Sequence, residues 1–421
     1  MSATTTNPYE TGEKAAVPVK DDGGLWAYLR SYGQRVRGGD MGALPAVLGI
    51  IVLTIVFSAA RPSFLTPLNF ANLLTQAGPI VVLGMGLVFV LLLGEIDLSA
   101  GFASGVCAAV LAIMLTTNGY PWYVGVAAAI ATGVVIGLLL GFLVAKVGIP
   151  SFVVTLAGFL AFQGTVLWLL KEGTNISVRD EVIISLENEY MPPMVGWALG
   201  GLTVLGFAAT QLIQQRNRRR RGLPAMLWQV VAFRVVGLAV LVGVAVSVLN
   251  EERSRNALFS LKGVPIVVPV IGVLLLLWTF VLRRTAFGRH IYAVGGNREA
   301  ARRAGIAVDR IRISAFVICS AMAAVSGILA ASMARSVDPN TGGSNVLLYG
   351  VAAAVIGGTS LFGGKGRVLD AVLGGLVITM IINGMGLVGW SSAYKYVATG
   401  VVLLLAASVD AFSRRRSAAS S

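Results

Sequence analysis

The sequence predicts an all-α, polytopic membrane protein of about 10–12 transmembrane helices, and three observations carry that prediction. Of 421 residues, 56% are hydrophobic and only 12% charged, and the mean hydropathy is +0.81. Apolar runs of about 20 residues, the length that crosses about 30 Å of hydrocarbon, recur along the chain after residue 40. Basic residues collect beside alternate ends of those runs, the pattern that sets membrane topology. A soluble protein of this length needs charge over its whole surface, so the composition excludes one.

Residues 1–40 are polar and read as a disordered cytosolic tail. It ends in a basic amphipathic stretch, Leu25 to Arg37, suited to the membrane surface or to a plain linker. No cleavable signal pattern is visible there, so the first span is expected to serve as its own insertion signal. The membrane domain occupies 41–412, with spans near 42–60, 72–93, 98–116, 122–145, 150–170, 194–213, 227–249, 264–282, 313–333, 346–362, 369–388 and 396–412. The pair meeting at Gly94 to Gly101 and the short run 346–362 suit broken or re-entrant segments, which sets the lower bound of ten. A basic tail, 413–421, closes the chain.

The charges test this order. Lys146 follows the fourth span, Arg216 with Arg218 to Arg221 the sixth, and Arg283 with Arg284 the eighth. Lys365 and Arg367 follow the tenth, and Arg414 to Arg416 the twelfth. Intervening loops are poorer in basic residues or carry acids, as at Glu172, Asp180, Glu181, Glu187 and Glu189. Both termini are therefore expected in the cytoplasm, with the protein in the bacterial inner membrane.

A formal net charge of +14 raises the question of nucleic acid. The arginines border apolar runs rather than interleaving with aromatics, so the expected partner is membrane lipid, not nucleic acid. Cys107 and Cys319 lie inside spans and His290 is the lone histidine, in a basic loop. That leaves no disulfide framework, no metal cluster, no cofactor site and no catalytic constellation to read. Gly133, Gly137 and Gly141, at four-residue spacing, are expected to let two helices approach closely. A glycine-rich break occurs in each half, Gly94 to Gly101 and Gly357 to Gly364, as in transporters built from related halves.

Glu95 and Asp97 stand out because an acid at membrane depth costs roughly 2.5–3.5 kcal/mol and usually faces a partner or a wet cavity. With Ser99 they are candidates for a solute path, since carboxylates and freed carbonyls pair with hydroxyls; a plain turn between two spans is the other reading. The loop 283–312 is too polar for membrane. It holds a short helix from Arg298 to Ala304, closed by Gly305 at the C-cap. Its eight arginines exceed what topology requires and suit docking of a soluble partner, or else lipid anchoring. Gly363-Gly364-Lys365-Gly366 is not a phosphate loop: Thr359 stands at the first glycine position and Gly366 follows the lysine. The chain thus carries no recognisable ATPase.

Glu95-Ile96-Asp97-Leu98-Ser99, Pro150 to Gly158, Tyr292 to Asn297 with Glu299-Ala300-Ala301 and Gly305-Ile306, and Ile356 to Gly366 occur in that order. Together they resemble the permease subunits of bacterial ABC importers for monosaccharides, the ribose/xylose/galactose branch. The match runs from about residue 64 to the C-terminus. Glu95 and the hairpin around Arg216 to Arg221 make it most similar to xylose-type members. One departure is Leu347-Leu348-Tyr349-Gly350, where many members carry an acid. The resemblance implies a homodimeric core that is not itself an enzyme. An extracytoplasmic sugar-binding protein would feed it, and an ATP-binding cassette subunit with two fused cassettes would drive it. Asn297, Glu299, Ala300, Ala301 and Gly305 would form the helix that receives the ATPase stroke. An ion-coupled secondary sugar transporter is the alternative, and a membrane enzyme a third class without a catalytic set.

Overall fold

The computed structural model describes residues 42–171, 174–222, 227–254 and 260–419. The tail 1–40, with the stretch Leu25 to Arg37, lies outside them. Among the described residues nine helices are long and apolar enough to cross a membrane, and three shorter apolar helices bring the total to twelve. They fall in the order and close to the positions expected. The long ones are α2 (Pro67–Leu92), α3 (Ala100–Ala112, extended by a wider turn to Thr117), α4 (Trp122–Phe142, extended to Val147), α5 (Ser151–Leu170), α7 (Pro193–Arg220), α8 (Trp228–Leu249), α9 (Val267–Arg284), α12 (Val308–Ala334) and α14 (Val368–Val388). The shorter are α1 (Leu44–Ala60), α13 (Ser344–Gly357) and α15 (Ser392–Ala419), apolar over its first half. Most of the basic tail continues α15 as helix. Three short helices lie off the spans: α6 (Glu181–Asn188), α10 (Ala286–Gly296) and α11 (Arg298–Arg303).

Burial separates two layers. In α2, 78% of the apolar window is buried, against 11% in α7 and in α9. α2, α3, α12 and α14 form the inner layer, where every residue from Val81 to Leu93 is buried. The outer helices present Leu202, Leu205, Phe233, Leu241, Leu276 and Phe280 to their surroundings, the surface that lipid solvates best.

The four-residue glycine spacing has the expected consequence. A Cβ at Gly133, Gly137 or Gly141 would come within 2.5 Å of the Ser320 carbonyl, 2.5 Å of the Val317 Cα and 2.8 Å of the Ile313 Cα. Only glycine lets α4 lie directly on the backbone of α12.

The bundle has two distinct ends. At one end, Lys146 pairs with Asp309 at 3.0 Å, and α10, α11 and the 358–367 loop gather. At the other, β1 (Ile176–Ser177) pairs antiparallel with β2 (Ser336–Val337), and α6 packs on α2 and α12.

Candidate functional site

The arginine-rich end is built by local capping. α10 starts at Thr285, whose hydroxyl accepts from the Gly288 amide at 3.2 Å. Gly288, Ile291 and Val294 recur every third residue and are buried on one face of that helix. Phe287 stacks against Phe89 of α2 with centroids 6.4 Å apart. The chain leaves α10 through an extended Asn297, whose Oδ1 accepts from the Ala300 amide at 2.9 Å and so caps α11. At the other end of α11, Gly305 adopts φ +80°. There the Ile306 amide donates to Ala301 O at 3.1 Å and the Gly305 amide to Arg302 O at 3.0 Å, the paired bonds of a Schellman stop. Glu299 in the first turn and Arg302 and Arg303 in the last complement the helix dipole.

Of the residues expected on this helix, Asn297, Glu299, Ala300 and Gly305 are exposed, while Ala301 is buried and seats α11 on the bundle. Glu299 meets Arg303 at 3.3 Å, an exposed pair that contributes about 0.3–0.5 kcal/mol. Among the described residues the outer face of α11 is therefore free and preformed.

Glu95 lies at this same end, joined to the arginines. α2 stops by the same motif as α11: the Gly94 amide donates to Leu91 O at 2.8 Å and the Glu95 amide to Val90 O at 3.2 Å, with Gly94 at φ +70°. The Glu95 side chain turns inward, where its Oε1 accepts from Arg298 Nη2 at 2.6 Å, Arg312 Nη2 at 2.7 Å and Arg312 Nε at 2.9 Å. Side-chain exposures are 7% for Glu95, 11% for Arg312 and 45% for Arg298. The two ion pairs thus differ in kind. Breaking the buried Glu95–Arg312 pair by removing one partner costs about 3–5 kcal/mol. The half-exposed Arg298 contact contributes on the order of 1 kcal/mol or less.

Asp97 and Ser99 are brought together but apart from those arginines. Asp97 Oδ1 accepts from the Ser99 amide at 2.9 Å and the Ser99 hydroxyl at 2.7 Å, a local closure just before α3 begins. The Thr155 hydroxyl of α5 donates to Ile96 O at 3.2 Å. Glu95, Asp97 and Ser99 are all buried. An open hollow of about 380 Å³ lies elsewhere, between α3, α4 and α5, lined chiefly by apolar groups such as Val106, Val135, Ile136 and Phe162.

The two glycine-rich breaks meet here. The Gly364 amide donates to Leu92 O at 2.9 Å, and a Cβ on Gly94 would lie 3.2 Å from Phe362 O. Both breaks rest on α10: the Tyr292 hydroxyl donates to Gly366 O at 2.7 Å, and any side chain at Gly295 would collide with the Leu92 carbonyl. Asp370 closes the second break, accepting from the Arg367 amide at 2.8 Å and pairing with its guanidinium at 2.8 Å. Sequence reasoning missed Arg312, Arg298 and Tyr292 as partners of the breaks. The surplus of arginines was the available signal, but their partner lies 203 and 217 residues away.

Residues 69–407 match the family described as "Branched-chain amino acid transport system / permease component". That range contains every site residue above. The chain belongs to this permease family. The permease is also 34% identical over 414 residues to the xylose transport system permease protein XylH of Escherichia coli K12, covering 98% of this chain and 99% of the relative. Against the Haemophilus influenzae protein of the same name the identity is 34% over 371 residues, 88% and 96% of the two chains. The ribose import permease protein RbsC of Escherichia coli K12 is 29% identical over 367 residues, 87% and 92%. No solved structure matches the permease. The family description names amino acids and these relatives name sugars, so membership fixes the role of membrane permease and leaves the solute to be argued separately.

Proposed function

We propose that the chain is the membrane-spanning subunit of an ATP-driven importer for a monosaccharide, D-xylose or another pentose, in the bacterial inner membrane. The full-length likeness to a xylose permease supports the sugar class. ATP hydrolysis belongs to a separate cassette subunit, with two fused cassettes, that docks on α11 from the cytoplasm. A sugar-binding protein delivers solute to the opposite end, and two copies of the chain form the pathway. The end that gathers Lys146, Arg298 and Arg367 is the cytoplasmic one, and both termini lie on that side.

The observation that carries this reading is α11 itself. It is capped at both ends and exposed on its outer face, and its buried Ala301 seats it against the inner layer. A helix held this way can receive a push without unfolding. ATP binding closes the cassettes, the paired α11 helices move together, and the dimer alternates between outward and inward openings. Affinity resides in the binding protein, so the membrane path needs only weak polar contacts; Asp97 and Ser99 remain candidates for them. The ion-coupled alternative gains no support from the relatives.

Glu299→Arg tests the docking. The variant places a cation where the exposed face carries its acid, so it is expected to insert normally and lose co-purification with the ATPase subunit. Undiminished co-purification would count against α11 as the docking helix.

A further inference from the structure

Glu95 sits where three things converge: the end of α2, the docking loop and the root of α12. We infer that Glu95 is a positioning residue, a link that carries movement of α11 into the helix break between α2 and α3. The inference rests on the docking role proposed above for α11.

The geometry gives the link an input, an anchor and an output. The input is Arg298, the first residue of α11, which is half-exposed and reaches inward to Glu95 Oε1 at 2.6 Å. The anchor is Arg312, in the second turn of α12, which holds the same oxygen through Nη2 and Nε from a buried position. The output is the backbone. Glu95 immediately follows Gly94, where the chain turns out of α2, and only Ile96 separates it from Asp97, which closes the turn leading into α3. Two residues span at most about 7 Å, so displacement at Glu95 reaches Asp97 with little slack.

A single oxygen shared by two cations is suited to a graded hand-over. When α11 shifts, the solvent-accessible Arg298 can exchange Glu95 for water, while Arg312 keeps the carboxylate paired and prevents a buried charge from being stranded. The break therefore has two arrangements, one with Arg298 engaged and one without, and docking of a partner on α11 biases the choice. The second break responds as well, because Gly364 is bonded to Leu92 O and Gly366 to Tyr292. A carboxylate that lined the solute path would have oxygens facing a cavity; here Oε1 is committed to arginines.

The test is transport stoichiometry in proteoliposomes holding the permease with its ATPase subunit and sugar-binding protein, using radiolabelled D-xylose and ATP. Glu95→Gln is expected to retain the ATPase subunit and to hydrolyse ATP; Arg298→Gln, which lies on the docking helix, is compared at matched amounts of bound ATPase subunit. Sugar moved per ATP should fall at least about five-fold, the lower range of measured coupling between sites, with the KM for sugar unchanged. The double variant should be no worse than either single one, because both cut the same link. Arg298→Lys, which keeps a cation within reach of Oε1, should restore most of the ratio. If Glu95→Gln fails to fold, the half-exposed Arg298 pair of variants carries the test alone. Normal stoichiometry in Arg298→Gln would overturn the inference. So would a raised KM at normal stoichiometry in Glu95→Gln, which would instead put Glu95 in the solute path. Wild-type protein without ATP-driven uptake would overturn the importer reading rather than this link.

Discussion

Two glutamates, Glu95 and Glu187, are buried near opposite ends of the bundle, and their surroundings differ completely. Arg312 and Ser332 mark their levels on α12, which at 1.5 Å per residue places them about 30 Å apart. Glu95 shares one oxygen between two guanidiniums. Glu187, in α6, packs its carboxyl against Gly78, and among the described residues neither oxygen accepts a hydrogen bond. Burial pushes the Glu187 carboxyl up to about 9 from an ordinary value of 4.5, so α6 docks with a neutral side chain. Ion pairs tie the arginine-rich end together, whereas the α6 end is held by apolar packing, by the β1–β2 pairing and by uncharged hydrogen bonds, the Glu187 amide donating to the Ser332 hydroxyl at 3.1 Å and Asn188 Nδ2 to Ser332 O at 2.7 Å. One end is joined by charge; the other is joined around an uncharged carboxyl.

The largest effect is expected at Glu95. Glu95→Ala strands Arg312, 11% exposed, without its partner, and should lower stability by about 3–5 kcal/mol. A clear drop in thermal unfolding temperature in detergent is the expected readout, and an unchanged one would mean the triad holds nothing together. Glu187→Gln should act in the opposite sense, and increasingly so as pH rises above about 4.5. With the folded-state value raised, the folded form holds its proton more tightly than the unfolded form. Stability is therefore full below about pH 4.5 and declines as pH rises towards about 9. The wild type should lose unfolding temperature between pH 5 and pH 9 while Glu187→Gln loses much less; parallel pH profiles would show that Glu187 is solvated after all. The smallest effect belongs to the α11 cap. Asn297→Ala removes one capping bond and should cost about 0.5–2 kcal/mol, seen as faster amide exchange at Ala300 and Ala301 with the spans unaffected.

The spans, their order and the close approach of another helix to α4 were legible because each depends on local pattern: apolar run length, glycine spacing and basic flanks; that the other helix is α12 was not. The α11 helix was legible for the same reason, its asparagine cap and glycine stop lying within nine residues of each other. Glu95 stands out in the sequence as an acid between two apolar runs, but its partners do not, because pairing across more than 200 residues leaves no periodic trace in one sequence. Glu187 was hidden for a related reason. In sequence it is one of several acids in a polar loop, and only the folding of α6 back onto Gly78 removes it from water.

In the mechanism proposed above, nucleotide chemistry on another protein moves solute through this one. Measuring D-xylose accumulation in sealed proteoliposomes, with and without the ATPase subunit and binding protein, decides it. Accumulation against a gradient only when both partners and ATP are present is the predicted result. Accumulation by the purified chain alone, driven by an ion gradient, would contradict it.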